Sequence, residues 1–107
     1  MKRLLLADVH AGLHAFEAVL ADAPPVDEIL FLGDIVGYGP HPAQCVDLLR
    51  TLDARCILGN HDEDVLQERR RSHPEGTPSP HALWLRWTLE QLDGEQLDFL
   101  ESFPMER

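Results

Sequence analysis

Residues 29–40 read Ile29-Leu30-Phe31-Leu32-Gly33-Asp34-Ile35-Val36-Gly37-Tyr38-Gly39-Pro40. Four large apolar residues in an unbroken run, closed by Gly-Asp, are the pattern of a short strand buried on both faces and ended by a sharp turn. Toward the amino terminus, Leu4-Leu5-Leu6-Ala7 is a second run of this kind, ended by Asp8-Val9-His10. Toward the carboxyl terminus, Ala54 to Leu58 is a weaker third, ended by Gly59-Asn60-His61-Asp62. Helical patterns fill the gaps. Leu13, Phe16, Val19 and Leu20 fall on one helical face, as do Cys45, Val46, Leu48, Leu49 and Leu52, with Pro42 near the start of the second helix. Pro24-Pro25 ends the first helix and Asp53 closes the second.

Alternating strand and helix predicts an α/β fold, a parallel βαβαβ sheet flanked by helices. The polar residues then take on meaning. Asp8, Asp34 and Asn60 each follow a strand, separated by 26 residues (34 minus 8) and 26 again (60 minus 34). Each interval is one βα unit, so all three emerge at the carboxyl edge of one sheet, where open α/β folds bind ligands. Beyond Asn60 the pattern turns helical. Asp62 to Arg71 reads as a short polar helix and Ser72 to Pro80 as a loop. Residues 81–92 read as a helix with Leu83, Trp84 and Trp87 on its apolar face, and Glu95 to Ser102 as a last helix closed by Phe103-Pro104. No further strand is expected after it.

The chain has 107 residues, 44% hydrophobic and 26% charged, which suits one soluble domain over 1–107. A net charge of −10 speaks against a basic nucleic-acid surface and against anionic membranes. It does not speak against a small phosphate ester bound at a metal, since bound cations reset the local charge. Cys45 and Cys56 show no C-x-x-C spacing and read as buried thiols. No targeting segment or membrane-length apolar run is seen, so a cytoplasmic location is expected.

Asp8-x-His10 offers a carboxylate and an imidazole to one point, a pair suited to Mn, Fe or Zn rather than Ca. A carboxylate at the Gly33-Asp34 turn can bridge two cations about 3.5–4 Å apart, the separation of two-metal phosphoester chemistry. Asn60 adds a neutral oxygen donor and His61 an imidazole that can act as general acid or charge stabiliser at the leaving oxygen. Singly these motifs are common; Asn-His-Asp, for one, can simply cap a helix. Together, at matched strand ends, they point to one site.

In that order, Asp8-x-His10, Gly33-Asp34 and Gly59-Asn60-His61-Asp62 resemble the signature of the calcineurin-like metallophosphoesterase superfamily. GDIVGYGP, GNHD and the later WTLEQL and FLESFP stretches are similar to its small prokaryotic phosphodiesterases, and the resemblance covers essentially the whole chain. It implies half of a metallophosphoesterase β-sandwich and two divalent ions, Mn²⁺ first, with Fe, Zn or Ni as alternatives. It also implies that Asp8 and His10 hold one metal, that Asp34 bridges, and that Asn60 holds the second. His61 and Asp34 are then catalytic, and a metal-bridging hydroxide attacks a small phosphoester, a phosphodiester or nucleotide-type substrate.

The chain departs from the superfamily in lacking the later histidine and the Gly-His-x-His block that complete the site. The expectation is an N-terminal half of a longer enzyme or a truncated relative, with a homodimer as a further possibility through the sheet edge. The alternative function is a catalytically incomplete domain that binds metal or a partner without turnover. His14, His41, His73 and His81 read as surface residues. Gly37-Tyr38 stands where protein phosphatases of the superfamily carry Asp-Arg, and Asp62 where they carry Glu, which favours a phosphodiesterase or nucleotide hydrolase. Ala11-Gly12 stands where relatives read Gly-Asn. Arg69-Arg70-Arg71 reads as a solvated helix end, and Trp84 and Trp87 as packing residues.

Overall fold

The apolar runs at 4–7 and 29–32 do form neighbouring strands. In the computed structural model, which describes residues 2–37, 39–70 and 79–105, β1 (Arg3–Leu6) pairs in parallel with β2 (Glu28–Phe31), and β2 with β3 (Arg55–Cys56). The sheet order is β1-β2-β3. Helices α1 (Leu13–Asp22) and α2 (Pro42–Thr51) make the two crossovers, and α3 (Asn60–Arg70), α4 (Pro80–Gln91) and α5 (Gly94–Glu101) follow. The α/β class and the helical carboxyl-terminal segment are as expected.

Local chemistry sets the helix ends. Pro42 occupies the first turn of α2, and Asp53 takes a left-handed φ of 51° just past its C-cap Leu52, a helix stop normally given to Gly or Asn. Ser79 caps α4 by accepting from the Ala82 N–H, and Asp93 with Gln96 forms a capping box at α5. Gln96 also donates to Asp47 and to the Ala43 carbonyl, tying α5 to α2. One core, with Phe31, Leu49, Leu66 and Leu100 fully buried, joins the sheet to these helices.

Several details correct the sequence reading. Within the described residues the strands are covered on one face: Leu5 is 61% and Leu32 46% exposed, while Leu6 and Phe31 are buried. The pleat sends alternate residues to opposite faces, and only the face of Leu6 and Phe31 carries the helical core. A groove of about 330 Å³, lined by Leu30, Leu32, Arg55, Cys56, Ile57 and Pro104, lies beside β2 and β3. The third strand, expected over 54–58, is a two-residue ladder extended by the Ile57 N–H bond to the Phe31 carbonyl. Leu58 instead bridges in parallel to Met105, so a fourth strand position begins where none was expected.

Helix α3 starts at Asn60 rather than Asp62. Val19 on α1 is exposed, leaving Phe16 as that helix's buried anchor. On α4 the buried residues are Leu85 and Thr88, whereas Leu83 is 54% and Trp87 40% exposed. The face of α4 is set by its packing on α3, which the apolar spacing of α4 alone does not encode. Arg69 and Arg70 close α3 as the expected basic helix end, Arg70 exposed, and both also form ion pairs with Asp98, Glu101 and Glu63. Tyr38, Arg71, His73 and most of the 72–80 loop lie outside the described residues.

Candidate metal centre

Past their ends, β1 and β2 stay laced together. Asp8, His10 and Ala11 donate backbone N–H bonds to the carbonyls of Gly33, Asp34 and Ile35, at 3.0, 3.0 and 2.8 Å. The two turns therefore run in register above the sheet edge. To do so, Asp8, His10, Ala11 and Asp34 adopt φ of 57°, 51°, 57° and 64°. Left-handed backbone at four non-glycine residues is unfavourable and persists where surrounding bonds over-determine it, a pattern concentrated at functional sites.

These turns bring side chains together. His10, Asp34 and His61 each offer one donor atom, and the three atoms lie within 4.8 Å of one another at a half-buried point. His61 Nδ1 is 3.6 Å from Asp34 Oδ1, and the His10 and His61 rings meet edge to face at 4.8 Å. The Asp34 carboxylate also accepts the His61 backbone N–H at 2.9 Å, placing an anion at the amino end of α3. Asp8 lies on the solvent side, its Oδ1 3.6 Å from His10 Nε2. Asn60 is exposed as the first residue of α3. Of the expected ligands Asp8, His10, Asp34 and Asn60, the structure thus gathers His10 and Asp34, adds His61, and sets Asp8 and Asn60 at the margins.

The donor set fits a divalent transition metal: one carboxylate and two imidazoles suit Mn, Fe or Zn. His10 Nδ1 is buried with no hydrogen-bond partner among the described residues, a polar atom that a bound ligand would explain.

The residue that organises the site was not singled out for this role from sequence. Asp62 is fully buried, and its carboxylate accepts N–H bonds from Asp34 (2.9 Å), Gly59 (3.1 Å) and Val36 (3.1 Å). It clamps the β2 turn to the β3 turn. Burial pushes its carboxyl up to about 6, against the pull of the three backbone N–H groups. The one available signal was an acidic residue three positions after Gly59 at a helix start, half of a capping box. Two glycines make the close packing possible. A Cβ on Gly59 would strike the Asp34 backbone and carboxylate, and one on Gly37 would strike His10.

The spare histidines sit elsewhere. His14 is exposed beside Glu17, His41 is half-buried with its ring against His14, and His81 is exposed beside Asp64. Trp84 packs on the core and reaches His61 as well, ring centroids 6.0 Å apart.

Residues 1–103 match the calcineurin-like phosphoesterase family. The chain belongs to that family. A metallophosphoesterase of Sphaerobacter thermophilus has a similar crystal structure, with 44% identity and a TM-score of 0.80 over 97% of this chain and 42% of that one. An uncharacterized protein of Methanocaldococcus jannaschii is 37% identical over 103 residues, 94% of this chain and 41% of its own length. A symmetrical bis(5′-nucleosyl)-tetraphosphatase of Chromohalobacter salexigens is 35% identical over 101 residues, 88% of this chain and 36% of its own length. The chain thus spans about two fifths of the length of these relatives. For a calcineurin-like phosphoesterase, the His10–Asp34–His61 cluster is where a divalent metal fits. Among the described residues, no helix is long and apolar enough to cross a membrane.

Proposed function

We propose that this chain forms the amino-terminal side of a divalent-metal phosphoesterase centre acting on a phosphodiester or nucleotide-type substrate. The observation that carries the reading is the convergence of His10, Asp34 and His61 at the carboxyl edge of the sheet. Manganese is the metal favoured, with iron, zinc or nickel as alternatives; when bound, such cations supply a nucleophile at neutral pH and screen phosphoryl charge. His10 and Asp34 would hold the metal pair, with Asp34 between the two positions. Asp8 and Asn60, at the same edge, are the additional donors. His61 would stand at the leaving oxygen as general acid or charge stabiliser, leaving His10 and Asp34 to the metals. No arginine stands at 37–38 to grip a monoester, which favours a diester or polyphosphate. The similar tetraphosphatase fits that preference. The remaining donors would come from the part of the relatives' length that this chain does not span, or from a second copy. Free thiols at Cys45 and Cys56 fit a reducing cytoplasm.

A second reading, a domain that binds metal without turnover, is favoured by one fact. Among the described residues, three donors converge where two cations need more. Hydrolysis of bis(p-nitrophenyl) phosphate by the full chain with Mn²⁺, beside Asp34→Ala and with calorimetric Mn²⁺ titration, separates them. Turnover lost in the variant supports the phosphoesterase. Mn²⁺ binding without turnover supports the second reading, and absence of Mn²⁺ binding refutes both.

A further inference from the structure

The rings do not stop at His61. Centroids of His10 and His61 lie 4.8 Å apart, those of His61 and Trp84 6.0 Å, and those of Trp84 and His81 5.7 Å. Four rings thus form a row leading from the donor cluster to the first turns of α4. His81 and Trp84 are three residues apart on α4 and share one side of it. Their placement is fixed from both ends. Ser79 and Pro80 set where the helix begins, while buried Leu85 and Thr88 seat its next turns. His81 Nε2 lies 3.8 Å from Asp64 Oδ2, which ties the outer ring back to α3.

The ring angles differ along the row. His61 meets its neighbours edge to face, at 80° and 81°, whereas Trp84 and His81 are tilted by only 32°. The outer two rings are thus the pair closest to parallel, with His81 exposed and Trp84 half-buried. Two adjacent π-faces, one of them exposed, offer a planar aromatic group a surface to stack on. On a chain of net charge −10, stacking also supplies affinity that long-range attraction of a phosphate does not.

We infer that His81 and Trp84 form a leaving-group subsite and that the group it accepts is a nucleobase. The inference rests on the phosphoesterase reading of the cluster, in which the leaving oxygen departs beside His61. The other ring in contact with His61, besides His10, is Trp84. Removing a ring from a base-stacking contact weakens binding roughly ten- to a hundredfold.

The test uses the Trp87→Phe background, in which Trp84 is the sole tryptophan and the replaced ring lies outside the row. Adenosine monophosphate and ribose 5-phosphate are titrated in the presence of Mn²⁺, both carrying a phosphate and only one a base. The expected result is quenching of Trp84 emission by the nucleotide and affinity about tenfold or more above that of ribose 5-phosphate. His81→Ala removes the difference and leaves the affinities for ribose 5-phosphate and Mn²⁺ unchanged. Equal affinities for the two phosphates, or a ratio that survives His81→Ala, overturn the subsite while leaving the metal centre standing. If Mn²⁺ binds and neither phosphate does, the phosphoesterase reading falls and the subsite with it.

Discussion

Replacing Asp62 tests whether the site is held together by one buried carboxylate. That side chain satisfies three backbone N–H groups on two different turns. In Asp62→Ala all three lose their acceptor, at about 1–3 kcal/mol each, or roughly 3–9 kcal/mol in total. Set against this is the penalty of burying the charge. The carboxyl stands at about 6 rather than 3.8, and at 1.36 kcal/mol per unit its removal returns about 3 kcal/mol at neutral pH. The net loss is of order 3 kcal/mol. Asp62→Asn keeps an oxygen on one side and turns an amide NH₂ toward the other, orphaning at least one N–H for about 1–3 kcal/mol. Asn sheds the same buried charge, so urea unfolding of the metal-free protein at neutral pH should place Asn level with or above wild type, and both above Ala. With m of about 1–3 kcal/mol/M, the Ala midpoint falls by roughly 1–3 M. The pH dependence has a definite sign. A folded value above the unfolded one gives stability fully present below about 3.8 and lost as pH rises through about 6. Wild type therefore gains stability from this group between pH 7 and 4, and Asp62→Asn does not. Because Asp62 orients the Asp34 turn, Mn²⁺ affinity should fall about tenfold or more, as for other groups that position ligands. An Asn variant with the wild-type pH profile and Mn²⁺ affinity would refute the reasoning.

Gly59→Ala should abolish tight Mn²⁺ binding by calorimetry, because its methyl group displaces the Asp34 backbone and carboxylate. The helical circular dichroism should largely survive, since the clash falls on the Asp34 turn rather than on a helix core residue. Burial pushes both Cys45 and Cys56 up to about 11, so at pH 8 alkylation by iodoacetamide should be slow in the native protein and fast for both thiols in urea, scored by mass spectrometry. Gln96→Ala removes half the α5 capping box and the bonds to Asp47 and Ala43. A loss of about 1–3 kcal/mol in chemical denaturation is expected, larger than for Asp93→Ala at about 1 kcal/mol.

Much of this molecule was legible in residue order. Unbroken apolar runs at 4–7 and 29–32 specified neighbouring parallel strands, and the residues just beyond them were marked as the site because a strand end is a local feature. Asp8, Asp34 and Asn60 follow Leu6, Phe31 and Cys56 by two, three and four residues. Strand-to-helix periodicity, Pro42, Asp53 and Ser79 set element limits to within a residue or two, since capping and turn chemistry act over a few neighbours. The uncovered sheet face was not legible. An apolar run reads the same whether one layer or two cover it; within the described residues helices cover the face of Leu6 and Phe31 and leave Leu5 and Leu32 exposed.

What the sequence by itself determined was the fold class, the edge of the sheet that carries the chemistry, and the residue types gathered there. Only the tertiary structure decided how those residues meet. His61 joins His10 and Asp34, Asp62 turns inward to hold two turns at once, and Trp84 comes to rest beside His61. Apart from the Asp62–Gly59 bond, these contacts join residues 23 to 51 positions apart, through left-handed turns at Asp8, His10 and Asp34 that local propensity alone does not hold. Strand register and the inter-turn hydrogen bonds impose them, and those exist once the chain has folded.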